Sequence, residues 1–183
     1  MRRRGGSGAI SFRISFNHND TRLITCDEEG VSVWNLSNQS KLLSMKTENP
    51  LRIIVSSDDQ YLAVSNYDDT NVWALESGQL IKTLLDKNTI DIEFSHKESL
   101  LGLLPNNNSA EIYDISTGEK IKLHSGEAVY SIAFSPDDTT LALGSHYYIG
   151  IKFFDITSRK LNSSIENTAA NIIKFLVLPE FVV

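Results

Sequence analysis

A stretch of 33 residues, 129–161, is repeated with drift along almost the whole chain, and this period limits the fold more than any single motif. Aligned on an apolar position of its first strand, the unit recurs at Ile14, Ile53, Ile92, Ile132 and Ile173, in steps of 39, 39, 40 and 41 residues. Aligned on the aromatic of its third strand, it recurs at Trp34, Trp73, Tyr113 and Phe154, in steps of 39, 40 and 41. Two turn signatures keep the same phase. After the first strand come Asn17-His18-Asn19-Asp20, Ser56-Ser57-Asp58-Asp59, Ser95-His96-Lys97-Glu98 and Ser135-Pro136-Asp137-Asp138. After the third come Ser37-Asn38-Gln39, Glu76-Ser77-Gly78, Ser116-Thr117-Gly118 and Thr157-Ser158-Arg159.

Within each unit, short alternating apolar runs are cut by Pro, Asp, Gly and Ser clusters, the signal of antiparallel strands joined by tight turns. In the clearest copy the strands are expected at 129–134, 141–144, 151–156 and 161–165. A four-stranded unit of about 40 residues cannot dry both faces of its own sheet, so neighbours must stack. The expectation is an all-β array of units at 12–45, 51–84, 90–123 and 129–165, with a fifth beginning over 170–183, preceded by a flexible Gly- and Arg-rich tail at 1–9.

A period near 40 with four strands per unit and an aromatic closing the third strand resembles the WD-repeat β-propeller family. The residues that carry the resemblance are Trp34-Asn35, Trp73-Ala74, Tyr113-Asp114 and Phe154-Asp155, standing where that family has its Trp-Asp. The resemblance covers about 12–175. It departs from the family in lacking Gly-His before the first strand, and in carrying Glu28, Tyr67, Asn107 and Tyr148 where an Asp is usual. The family's His–Ser/Thr–Trp–Asp network is therefore not carried over, and apolar packing between blades is expected to hold the array. Trp34, Trp73, Tyr113, Asp114, Phe154 and Asp155 are the repeat-defining structural residues. Propellers of that family have more blades than four, so the expectation is a partial ring: a piece of a longer one in first place, with a half-propeller completed by a partner or by itself and a small open array as the alternatives, and an open C-terminal edge available for self-association or missing blades.

Function is read from the loops. In a meandering blade the loops between strands two and three share a face with those leading from strand four into the next blade. That face collects Tyr67-Asp68-Asp69 and His146-Tyr147-Tyr148, together with 46–49, 86–88, 124–127 and 167–169. Exposed aromatics beside carboxylates suit a protein-binding surface, since rigid rings anchor and charges select. Tyr67, Asp68, His146, Tyr147 and Tyr148 are accordingly the candidate partner-contacting residues, with other proteins or peptides as partners.

No metalloprotease His pair, nucleophile elbow or phosphate loop occurs in the sequence. Neither a catalytic residue nor a metal site nor a cofactor is expected. The carboxylate pairs Asp58-Asp59, Asp68-Asp69 and Asp137-Asp138 lack calcium-loop spacing and read as turn residues bonding their own backbone. His18 and His96 read as exposed turn residues at equivalent positions. A net charge of −6 opposes general attraction to nucleic acid or anionic lipid. Cys26, alone, excludes an internal disulfide. The basic start has no apolar core behind it, so the expected compartment is the cytoplasm, with the nucleus as the alternative. Two other readings compete with the scaffold: a bacterial-type propeller module of an enzyme or cofactor-binding protein, and a phosphoinositide-binding propeller, for which the paired Arg is missing.

Overall fold

A computed structural model describes residues 13–27, 30–84, 89–97, 99–105, 109–124, 126, 128–145, 150–168, 170 and 173–174. These form four antiparallel four-stranded sheets, each a simple meander. Blade 1 is β1 (Arg13–Phe16), β2 (Arg22–Asp27), β3 (Gly30–Asn35) and β4 (Lys41–Met45); blade 2 is β5 (Arg52–Val55), β6 (Tyr61–Ser65), β7 (Thr70–Ala74) and β8 (Leu80–Leu84). Blade 3 is β9 (Thr89–Phe94), β10 (Leu100–Pro105), β11 (Ser109–Asp114) and β12 (Lys120–His124); blade 4 is β13 (Val129–Phe134), β14 (Thr140–Ser145), β15 (Ile151–Asp155) and β16 (Lys160–Ile165). The first strands adjoin in sequence, β1 against β5, β5 against β9, and β9 against β13. This is a propeller-type arrangement.

Strand alternation gives every blade two unlike faces. The rear face, toward the preceding blade, carries the large residues: Val55, Leu62, Val64 and Trp73 in blade 2, and Ile132, Phe134, Leu141 and Leu143 in blade 4. The forward face carries smaller or branched ones, such as Ile24, Cys26, Val31 and Val33 in blade 1. One apolar core fills each junction: Ile24 and Val33 meet Leu62 and Trp73, Ala63 and Val72 meet Leu101 and Tyr113, and Leu104 and Ile112 meet Phe134 and Phe154. The outermost strands are largely exposed, as the row of six solvent-facing residues in β16 illustrates. Close approach is part of the design: a Cβ on Gly102 would stand 2.8 Å from Ile132 Cδ1.

Polar ties span the junctions as well. Arg22 of blade 1 donates to the Leu75 carbonyl at 3.0 Å and pairs with Glu76 of blade 2. Arg52 Nε of blade 2 lies 3.6 Å from Asp91 Oδ1 of blade 3. Beyond blade 4, the Ala170 N–H donates to the Ser145 carbonyl at 3.0 Å, and Ile173 Cδ1 sits where a Cβ on Gly144 would fall. The described residues that follow blade 4 therefore cover its forward face near its inner strands.

The backbone repeats with the sequence. Asp20, Asp59 and Asp138 share a left-handed conformation, φ 56°, 58° and 60°, at the same turn position. After the third strand, Gln39, Gly78, Gly118 and Arg159 do likewise, with φ from 58° to 77°. Glycine fills that position in blades 2 and 3, where it removes the Cβ cost of the conformation.

Candidate functional site

The end of the array that carries the β4–β5 and β6–β7 connections has a recess of about 510 Å³ between blades 1 and 2. Lys46, Thr47, Glu48 and Asn49 form one wall, and Asn66, Tyr67, Asp68, Asp69 and Asn71 the other. The second wall is built by an Asx turn. Asn66 Oδ1 accepts from the Asp68 and Asp69 N–H groups at 2.7 and 2.8 Å, while Asp69 Oδ1 accepts from the Asn66 and Asn71 side-chain amides at 2.9 and 2.7 Å. Asp69 is thus spent on holding the loop, which leaves Tyr67, 57% exposed, and Asp68 directed by a fixed backbone. Among the described residues, the buried hydroxyls of Thr47, Ser65 and Thr70 find no hydrogen-bond partner. Thr47 also lines the recess.

A ring, carboxylates at Glu48 and Asp68, and one ammonium at Lys46 offer contact area and mixed charge. Two of the five candidate contact residues, Tyr67 and Asp68, meet here. His146, Tyr147 and Tyr148 lie outside the described residues.

The repeat-defining residues are structural in a way the geometry makes explicit. Trp73, Tyr113 and Phe154 are 4–5% exposed within the junction cores. Trp34 is half-buried, stacked under Lys41 Nζ at 4.8 Å from the ring centroid. Its indole N–H donates to Thr25 Oγ1 at 3.0 Å. Blade 1 alone has a hydroxyl at that register, where Val64, Leu103 and Leu143 stand in the others, so that fragment of the polar network exists only there. Asp114 accepts from Ser116 N–H, Ser116 Oγ–H and Thr117 N–H at 2.8, 2.6 and 3.1 Å, which holds its carboxyl below the usual range. Asp155 is lowered similarly by Ser158, whose N–H donates at 2.6 Å. Asn35 builds the corresponding turn in blade 1.

Turn carboxylates divide their labour in a way the sequence did not reveal. In the two pairs that follow a first strand, the first Asp bonds locally: Ser56 Oγ–H donates to Asp58, and Ser135 Oγ–H to Asp137, both at 2.6 Å. That contact, with the Thr139 N–H, brings the Asp137 carboxyl down to about 2. The second Asp reaches across the junction. Asp59 accepts from His18 N–H, Asn19 N–H and the Asn17 amide of the preceding blade, at 2.7, 3.1 and 3.1 Å. Asp138 accepts from His96 N–H and Lys97 N–H at 2.8 and 2.6 Å, with His96 Nδ1 at 3.3 Å. His18 and His96, read as surface decoration, are therefore the residues whose turns are clamped.

Other reactive groups are buried away from the recess. Burial, with the Asp27 charge second, pushes the Cys26 thiol up to about 12, which leaves it protonated and unreactive. On the inner strand of blade 3, burial and then the neighbouring Asp91 raise Glu93 to about 8, against the lowering pull of Lys174. Asp91 is raised by burial despite the Ile132 N–H and Arg52 beside it. Among the described residues, no three His, Cys, Asp or Glu side chains gather as metal ligands.

Solved structures similar to this chain are of propeller type. Hydrazine synthase from Kuenenia stuttgartiensis superposes with a TM-score of 0.70 at 18% identity, over 91% of this chain and 53% of that one. U3-55K does so at 0.69 and 14% identity, over 88% and 55%. The dihydro-heme d1 dehydrogenase NirN, solved in complex with DHE, does so at 0.71 and 15% identity, over 87% and 38%. This chain thus spans little more than half the length of the first two, and less of the third. No protein-family model and no curated protein matches the sequence.

Proposed function

We propose that the chain is a non-catalytic, WD-repeat-type scaffold that docks other proteins or peptides in the recess between blades 1 and 2, in the cytoplasm or nucleus. The observation that carries the reading is the exposed Tyr67 at the rim of a recess whose wall is fixed by the Asn66–Asp69 turn. An aromatic held on a rigid loop gives up little conformational freedom on binding and supplies most of its contact area to the partner. Asp68 and Glu48 then favour partners that present a cation, and the overall charge of −6 extends that preference beyond the recess.

The test is site-specific photo-crosslinking. A photoreactive phenylalanine at position 67 should capture a discrete partner, whereas the same group at position 57, on the opposite loops, should not. Tyr67→Ala with Asp68→Ala should weaken the captured complex about tenfold or more, the loss expected when an anchor worth about 1.4 kcal/mol is removed. Equal capture from both positions, or undiminished affinity of the double variant, overturns the assignment.

A further inference from the structure

Three junctions hold the four blades together, and they are not built alike. Between blades 1 and 2 the Asp59 carboxylate accepts from His18 N–H, Asn19 N–H and the Asn17 amide. Between blades 3 and 4 Asp138 accepts from His96 and Lys97 N–H. Among the described residues, no carboxylate seats two backbone N–H groups across the junction between blades 2 and 3. There Ser57 Oγ–H donates to the His96 carbonyl at 2.6 Å, a bond between neutral groups. Arg52 Nε stands 3.6 Å from Asp91 Oδ1, with the Arg52 side chain 41% exposed. A neutral hydrogen bond and a half-exposed ion pair each hold less firmly than a buried carboxylate on two N–H groups.

A second difference lies in the core of the same junction. On the forward faces of blades 1 and 3 one register position is filled by Cys26 beside Val31 and by Leu104 beside Ala110, all apolar and 0–1% exposed. Blade 2 has Ser65 beside Thr70 at that position, facing blade 3 and fully buried. Neither hydroxyl finds a hydrogen-bond partner among the described residues. A hydroxyl that has given up water and gained no partner carries the whole cost of its lost hydration, and water restores both bonds as soon as the blades part. The other two junctions have no such term favouring the open state at this position.

We infer that the junction between blades 2 and 3 is a conformational joint. The array opens there reversibly into a half made of blades 1 and 2 and a half made of blades 3 and 4, ahead of either other junction, and Ser65 and Thr70 set how often it does so. The apolar residues of the joint, Ala63 and Val72 against Leu101 and Tyr113, reclose it. The recess between blades 1 and 2 lies wholly within the first half and stays assembled when the joint opens.

Thiol labelling of the full chain under native conditions reads each junction separately. Native Cys26 reports the first junction, Val72→Cys the second and Val129→Cys the third, at positions 0–4% exposed. With labelled peptides resolved by mass and rates referred to the same thiols in urea, position 72 should label at least tenfold faster than 26 or 129. Adding Ser65→Ala and Thr70→Val to Val72→Cys should slow position 72 at least tenfold, equivalent to about 1.4 kcal/mol, and leave Cys26 within about twofold. Equal rates at the three positions mean that the array opens as one unit, which overturns the proposal. So does a rate at position 72 that the double substitution does not slow, since the hydroxyls then have no part in opening. A double variant that fails to fold, or that unfolds in less urea than its parent, shows the hydroxyls to be stabilising and overturns it as well.

Discussion

Replacing Asp138 by alanine isolates what the cross-blade carboxylate contributes. Its side chain is 1% exposed and receives two backbone N–H groups of the preceding blade at 2.6 and 2.8 Å. Hydrogen bonds to a charged acceptor contribute about 1.5–3 kcal/mol each, but the freed His96 and Lys97 amides lie where water can reach them, so about 3 kcal/mol is a fair total. Alanine at φ 60° adds about 1 kcal/mol of backbone strain. The expected loss is about 4 kcal/mol, or roughly 10 °C in Tm for a chain of this size. Urea and thermal unfolding followed by circular dichroism measure it, and amide exchange at His96 and Lys97 reports where it acts. Two controls share the turn and its conformation. Asp59→Ala, at a side chain 16% exposed, should cost somewhat less, and Asp20→Ala only the strain of about 1 kcal/mol. If Asp20→Ala proves as costly as Asp138→Ala, the turn itself accounts for the stability and the cross-blade bonds contribute nothing.

Two further outcomes follow from buried groups. Glu93 holds its proton more tightly in the folded state, about 8 against 4.5 unfolded, so its contribution is fully present below pH 4.5 and is lost as pH rises toward 8. Wild type should lose up to a few kcal/mol between pH 5 and 8.5, and Glu93→Gln should flatten that slope in urea titrations; an unchanged slope refutes the burial account. Gly144→Ala would put a Cβ 2.3 Å from the Ala170 carbonyl oxygen, so the segment around Ala170 must leave the sheet. Proteolytic cleavage within 167–174 should then accelerate while blades 1 to 3 stay protected, and an unaltered digestion pattern counts against that packing.

Periodicity made the architecture legible because strand alternation and turn chemistry are local. The strands expected in blade 4 at 129–134, 141–144, 151–156 and 161–165 differ from the observed ones by a residue or less at each end. Asp58-Asp59 and Asp137-Asp138 show the limit of such reasoning. Both residues of each pair are favourable in turns, and nothing along the chain says that the first bonds its own loop while the second bonds another blade some 40 residues away. The β9 strand gives a second case. Its alternation predicts one apolar face, which Ile92 and Phe94 supply, yet Asp91 and Glu93 on the opposite face are desolvated as well, because blade 4 closes over them. In the recess, Tyr67 and Asp68 were legible as an exposed turn beside the 46–49 connection. The buried Thr47 hydroxyl was not, since burial of a threonine at a strand end depends on the neighbouring blade.

The distribution of these contacts explains how repeats this divergent stay in register. A polar network that needs particular side chains, such as the Trp34–Thr25 bond, survives in one blade and is lost when Thr becomes Val or Leu. A carboxylate that binds backbone N–H groups asks little of its partner: His18, Asn19, His96 and Lys97 serve equally. Only proline fails, and proline stands at 136. The junction beyond blade 4 therefore has to be made by other means. The glycine at 144 admits the Ala170 carbonyl against the sheet, and Ser131 Oγ–H donates to it at 3.3 Å. Restoring an N–H with Pro136→Ser would not by itself strengthen that junction, because the bond needs a carboxylate in the following unit as well.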